Sequence, residues 1–394
     1  MLKHLKILVS LGFFKKTHIF LDGSNRIYFD ISTNASSNGA RFWRILWEKF
    51  SNNLTESSGR PNIALFNINA SPIAILLLKL RGAKIILRVD GCYSDDFVLI
   101  FERSSGLVKI IYRALWPFFS KKDQKFRRIC NFIERNSSFE LKLLLADHVV
   151  FQSCFSYNLV NSLGIDPRSY SIIKNGFVSR EIDNRDEDHT QVVSLEGART
   201  VLLATTFAGG NRFNKQFSVL LDFVVYLNET KNTFVNNIKY KLRIVGYDVN
   251  DLPPDVVHER VLKLVELDFV EILPPFSFIN NDEVLINSFE HVHVYVTFAL
   301  FDPCPNAVIE AQCCNVPVLG LWSGGIPEIV PLRHLVKVDK KDFPLYWSNL
   351  SRYGYPEICF FEAEKVLSFI VENLSECRNS THHYAKKHLN IDNV

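Results

Sequence analysis

The sequence predicts an α/β protein built from two Rossmann-like, doubly wound parallel-sheet domains facing a central cleft. Three observations predict it. Short apolar runs alternate with amphipathic segments over residues 26–174 and again over 201–321, the pattern of successive βαβ units. A polar, acidic stretch with little periodicity, 179–197, separates the two arrays and reads as a linker. At 394 residues the chain is long enough for two such cores. The expected boundaries are a first domain at 1–180, a linker at 181–199, a second domain at 200–375 and a helical tail at 376–394. The tail is expected to cross back onto the first domain.

In the first array, residues 26–32 (RIYFDIS) read as a strand, followed by a Ser/Asn/Gly loop that ends at Asn38-Gly39-Ala40. Residues 42–50 form a helix with aromatics on one side. A strand at 62–69 leads to a helix at 72–80, opened by Pro72, and then to a near-continuous apolar strand at 83–89. Such a run suits a parallel sheet covered on both faces. Strand 146–152, helix 156–163 and strand 170–174 complete the array. The second array has strands at 201–206, 241–245, 270–273, 293–298 and 316–321, with helices at 216–228, 283–288 and 307–314. Residues 362–394 are helical.

Composition (47% apolar, 22% charged) is that of an ordinary soluble globular protein. The eight cysteines form no Cys-x-x-Cys pair, which argues against zinc and redox motifs and for a reduced, cytoplasmic compartment. The apolar run at 7–14 is too short to span a bilayer and lacks a small-residue cleavage site. Charge is unevenly spread. Residues 1–180 carry 26 Lys+Arg against 13 Asp+Glu, and the remainder 19 against 29, so only the first half suits an anionic partner. Lipid headgroups, a polyprenyl phosphate or an anionic glycan would serve; no nucleic-acid module accompanies the charge. Residues 107–128 mix bulky apolar and aromatic side chains with seven Lys/Arg, as a segment at an anionic membrane surface would. The same pattern also fits a helix packed on the first sheet with a solvated basic face. The placement expected is peripheral, on the inner face of a membrane.

The most informative run is FDPCPNAVIEAQCCNVPVLGLWSGGIPEIV, residues 301–330. Pro303 and Pro305 keep its start out of a helix, Asn306 is a good N-cap, and 307–314 is the helix it opens. Asn315 tolerates the left-handed conformation of a helix C-cap. Ser323-Gly324-Gly325 is a turn before another helix with Pro327 and Glu328 in its first turn. A helix start with open amides seats phosphate, so Asn306 and Ala307 are donor-site candidates. Glu310, one turn inside, suits the two adjacent hydroxyls of a ribose, and Asp302 a sugar beyond the phosphates. Together they read as a nucleotide-sugar site. Glycine-rich Phe207-Ala208-Gly209-Gly210, with Arg212 and Lys215 just before a helix, suits a diphosphate in the same way.

This run resembles the donor-site signature of glycosyltransferase family 4, a large retaining family of GT-B fold. Asp302, Glu310, Pro317-Val318, Gly324-Gly325 and Glu328 fall in place, with Asp302 standing where the family usually has Glu and Asn315-Val316 replacing its usual Gly. Lys215 matches the basic residue of the family's diphosphate loop. The resemblance implies a donor-binding second domain, an acceptor-binding first domain and front-face substitution in which the leaving phosphate assists acceptor deprotonation. A UDP-sugar is the expected donor, and a cell-surface glycan or glycolipid the expected acceptor. No cofactor is expected. Cationic side chains can stand in for a divalent metal, and no clear Asp-x-Asp metal site is present. On the acceptor side, Arg88 and Asp90 point to one face of their strand end, where Asp90 could deprotonate a hydroxyl; an ion pair that fixes the Gly91 turn is the plainer reading. Asn38 and Gly39 resemble the family's glycine loop. Two other readings stand beside this one: a non-catalytic sugar-nucleotide-binding subunit, and another enzyme of the same fold such as a nucleotide-sugar epimerase.

Overall fold

The computed structural model describes residues 19–22, 25–29, 55–56, 60–68, 70–89, 139–162, 165–176, 200–207, 216–229, 238–247, 256–274, 287–338 and 357–390. The helix expected at 42–50, the basic stretch 107–128, the linker and the loop 208–215 lie outside them. Two compact units result. Met1–Tyr93, Ser104–Phe151 and Val160–Ile172 make the first; Ser94–Arg103, Gln152–Leu159 and Ile173–Val394 make the second.

The first unit holds a seven-stranded sheet. Its strands are β1 (Ile19–Asp22), β2 (Asn25–Phe29), β3 (Thr55–Glu56), β4 (Ile63–Asn67), β5 (Lys84–Val89), β6 (His148–Phe151) and β7 (Tyr170–Ile172), in the order β3-β1-β2-β4-β5-β6-β7. From β2 to β7 all pairings are parallel. β1 is antiparallel to both β2 and β3, an edge the sequence reading lacks. The missed signal is Gly23-Ser24, a hairpin dipeptide between two apolar runs, across which Asp22 pairs with Asn25. Helix α1 (Pro72–Leu80) buries Ile75 and Leu78 and has Pro72 in its first turn, where a missing amide costs nothing. It ends at Gly82, whose φ of +92° lets the Gly82 and Ala83 amides reach back to Lys79 and Leu78 at 2.9 and 3.1 Å.

The second unit holds six strands, all parallel: β8 (Thr200–Thr206), β9 (Lys239–Val245), β10 (Val270–Leu273), β11 (Val294–Thr297), β12 (Val318–Leu321) and β13 (Leu335–Val336). The order β10-β9-β8-β11-β12-β13 means the chain winds outward from β8, then returns to lay β11 on β8's other side. The doubly wound switch point therefore falls between β8 and β11. Alternate side chains feed two cores. Val201, Leu203, Val294, Val296, Leu319 and Leu321 join helices α3 (Phe217–Glu229) and α6 (Phe360–Glu372). Ala204, Tyr295 and Val318 join α5 (Asn306–Cys313) and α7 (Leu374–His388) on the other face. Here α2 is Cys154–Ser162, whose first turn belongs to this unit, and α4 is Val256–Glu266.

Two expectations are corrected. Pro305, not Asn306, is the N-cap of α5, and Asn306 is its first residue. The Asn306 side chain is engaged elsewhere, accepting the Asn175 side-chain amide at 2.7 Å. The helix expected after Gly325 is a three-residue turn, Ile326–Glu328, cut off by Pro331. α4 and β13 were not foreseen.

Candidate functional site

In an open parallel sheet ligands bind beyond the carboxyl ends of the strands at the switch point. Here the β8 end leads into the loop 208–215 and the β11 end into the segment before α5. The two strands are parallel neighbours, so their carboxyl ends lie at the same edge of the sheet. Gly209, Gly210, Arg212 and Lys215 themselves lie outside the described residues.

The path from β11 to α5 is tightly held. Phe298, Ala299, Leu300, Phe301 and Cys304 are all buried. Phe301 has φ +55°, a left-handed conformation that a bulky side chain rarely adopts. It is fixed there by its amide, which donates to Ser323 Oγ at 3.2 Å, and by its ring, stacked 6.4 Å from Phe155. Strain of this kind persists only where the surroundings over-determine it, and it gathers at functional sites. It turns the chain so that Asp302 is half-buried at the edge, its Oδ1 accepting the Cys304 amide at 3.2 Å.

Gly324 and Gly325 form the floor of this loop. Gly325 donates its amide to the Asp302 carbonyl at 2.8 Å. A Cβ on Gly324 would meet the Asp302 nitrogen at 2.8 Å, and one on Gly325 would meet the Pro303 carbonyl carbon at 2.7 Å. Any side chain there would displace the Asp302–Pro303 backbone. Gly324 also needs its φ of +62°.

No side-chain hydrogen bond caps the N-terminus of α5, where the Val308 and Ile309 amides donate to the Pro305 carbonyl at 3.1 and 3.3 Å. The helix is buried along its length, and Glu310 is its only formally charged residue, 8% exposed. A buried carboxylate needs hydrogen-bonding partners to be tolerated. Glu310 and Asp302 both act electrostatically on Tyr295, whose hydroxyl is hydrogen-bonded to Thr206. Tyr295 is 2% exposed, and burial above all, with the two acids adding to it, holds its hydroxyl protonated. Thr206 is the last residue of β8, so a buried tyrosine of β11 is hydrogen-bonded to the end of the neighbouring strand. Sequence reasoning missed Tyr295 and Phe301, since neither carries a motif.

Glu328 has a structural task. Its carboxylate accepts the Cys154 and Phe155 amides at 2.9 and 2.8 Å, and so caps α2. Its carbonyl accepts Lys174 Nζ and the Tyr384 hydroxyl, both at 2.7 Å. Asn175 donates to both the Cys304 carbonyl and Asn306 Oδ1, pinning the entry to α5. On the acceptor side, Arg88 is buried at the penultimate position of β5. Asp90, Asn38 and Gly39 lie outside the described residues. Among the described residues no cluster of His, Cys, Asp or Glu could hold a metal ion, and no helix is long and apolar enough to cross a membrane.

Two Rossmann-like parallel-sheet units of this kind make up the GT-B fold. Solved structures of that fold superpose on the chain. Sucrose-phosphate synthase from Thermosynechococcus elongatus does so with a TM-score of 0.52 at 13% identity, over 89% of this chain and 73% of its own. A glycosyltransferase from Rickettsia africae gives 0.51 at 13%, over 91% and 80%. HepE of Anabaena, solved in complex with UDP, gives 0.51 at 11%, over 89% and 78%. No protein-family model and no curated protein sequence matches the chain.

Proposed function

We propose that this chain is a retaining, metal-independent glycosyltransferase that moves a sugar from a UDP-sugar to a cell-surface glycan or glycolipid. The observation that carries the reading is Glu310: a buried carboxylate one turn inside a helix that no side chain caps, at the switch point of a doubly wound sheet. That position matches a nucleotide's needs. The amides at the start of α5 and the cations Lys215 and Arg212 would neutralise the diphosphate, while the Glu310 carboxylate accepts both ribose hydroxyls. Asp302, one loop earlier, would bind the sugar. The choice of UDP follows the nucleotide in the HepE complex.

In this scheme the glycosidic bond breaks as charge builds on the diphosphate, which Lys215 and Arg212 stabilise where it develops. The acceptor hydroxyl attacks from the same face and gives its proton to the leaving phosphate, with Arg88 and Asp90 positioning the acceptor. No covalent intermediate is required. The basic first half would draw the protein to the anionic inner face of a membrane, where such acceptors are displayed.

The test is a screen of nucleotide sugars for donor hydrolysis and transfer, run with and without EDTA. Glu310→Ala and Lys215→Ala should each abolish turnover. Undiminished activity in either variant would refute that residue's role. Donor binding without turnover by wild type would favour a non-catalytic binding subunit.

A further inference from the structure

The glycine turn beneath the Asp302 loop is itself packed against the start of α2. A Cβ built on Gly325 would lie 3.2 Å from Ser153 Cβ, so the two segments are in direct contact. Two residues further on, the Phe155 amide donates to Glu328 Oε1 at 2.8 Å. The half-buried Phe155 ring stacks on Phe301, with centroids 6.4 Å apart and planes 20° from parallel. Phe301 immediately precedes Asp302.

These contacts close a circuit. It runs from the Phe155 ring to Phe301 and along one peptide bond to Asp302. The Asp302 carbonyl accepts the Gly325 amide at 2.8 Å, and the Gly325 carbonyl accepts the Glu328 amide at 3.0 Å. The Glu328 carboxylate then returns to the Phe155 amide. Every member belongs to the second unit. Phe301 is the strained one: at φ +55° a bulky residue relaxes towards negative φ unless it is held, and the relaxation would swing the next residue away. Ser323 Oγ holds its backbone by accepting the amide at 3.2 Å. Phe155 holds its side chain, at a separation within the range of favourable aromatic pairs. No sequence motif marks Phe155.

We infer that Phe155 is a positioning residue for Asp302: by stacking on Phe301 it keeps the strained backbone that presents the Asp302 carboxylate to the donor sugar. The nucleotide half of the donor is assigned to α5 and Glu310, which stand outside this circuit. Phe155 therefore governs the sugar half. This inference rests on the nucleotide-sugar reading above and adds to it a residue that acts through another.

Phe155→Leu removes the ring but keeps the backbone amide that Glu328 accepts; Phe155→Met does the same with a volume nearer the original, and Phe155→Tyr keeps the ring. Each is compared with wild type by calorimetric titration of UDP and by thermal unfolding. Hydrolysis of UDP-glucose, UDP-galactose and UDP-N-acetylglucosamine supplies kcat and KM. The expected result is that the leucine and methionine variants bind UDP within about twofold of wild type while turnover falls about 100-fold, as for a displacement of order 1 Å. The tyrosine variant should match wild type in both. UDP affinity lost in step with turnover would reduce Phe155 to a packing residue and overturn the inference. Wild-type turnover without the ring, or a tyrosine variant as impaired as the other two, would overturn it as well. A wild type that binds UDP but hydrolyses none of the three donors would overturn this inference and leave the nucleotide site standing. A wild type that binds no UDP would overturn the nucleotide-sugar reading along with it.

Discussion

The carbonyl oxygen of Asp302 accepts the Gly325 amide at 2.8 Å, so the loop bearing the candidate sugar-binding acid is fastened to the turn after β12. Two segments more than twenty residues apart therefore move as one. The close approach is possible only because neither Gly324 nor Gly325 has a Cβ.

Gly325→Ala should displace the Asp302–Pro303 backbone, because the new methyl would meet the Pro303 carbonyl carbon at 2.7 Å. Overpacking of this kind costs about 1–3 kcal/mol. A shift of order 1 Å in a substrate-binding group lowers turnover roughly 100-fold. Urea denaturation and donor hydrolysis, measured on the same preparation, check both figures.

Glu310→Gln keeps the shape of α5 and removes its only formal charge. UDP affinity should fall by about tenfold or more, the worth of hydrogen bonds to a charged acceptor. Thermal stability should stay at or above wild type, because a neutral amide is less costly to bury than a carboxylate. Calorimetric titration beside a melting curve separates the two effects; a variant that binds UDP as wild type does would remove Glu310 from the site.

Glu328→Ala leaves the Cys154 and Phe155 amides without their acceptor. The expected cost is about 1–2 kcal/mol, typical of a lost helix cap, read from urea midpoints. The Cys154 thiol, pushed up by burial and by the Glu328 carboxylate, should also titrate lower in this variant. Its alkylation rate at pH 8 would then rise above that of wild type.

Acid should weaken the second unit through two buried histidines. Burial lowers the pKa of both His293 and His334 from 6.5 to about 4, and neither ring nitrogen of His334 has a hydrogen-bond partner. The unfolded chain takes up these protons first as pH falls. The stability they contribute is whole above pH 6.5 and is lost as pH drops towards 4, at up to about 1.4 kcal/mol per pH unit for each residue. His334→Leu should flatten that decline while leaving stability at pH 7 equal or higher. Urea midpoints at pH 7, 5.5 and 4.5 decide it.

Local chemistry was legible wherever it was strong. Helix α1 spans the residues expected from its proline start. Asn315 takes a φ of +60° just after the Cys314 C-cap, with its own amide and that of Val316 reaching back to Gln312 and Ala311 at 3.1 and 2.9 Å, as a left-handed helix ending requires. The same local rule failed at the other end of α5. Asn306 has every property of an N-cap, but its side chain is held by Asn175, 131 positions away in sequence. Capping propensity describes what a residue does when nothing else competes for it. The antiparallel edge of β1 and β3 escaped for a related reason: strands of four and two residues carry too little periodicity to stand out.

From the sequence alone came the alternation that sets the two-sheet architecture, and the placement of Asp302 before, and Glu310 within, the helix that follows β11. These follow from side-chain polarity and backbone preference, which act over a few residues. Only the folded chain decided that the switch point lies between β8 and β11, that Tyr295 is hydrogen-bonded to Thr206 across it, and that Phe301 and Gln216 take left-handed conformations. Those depend on packing between segments remote in sequence, where the energy of many distant contacts overrides what each residue would prefer by itself.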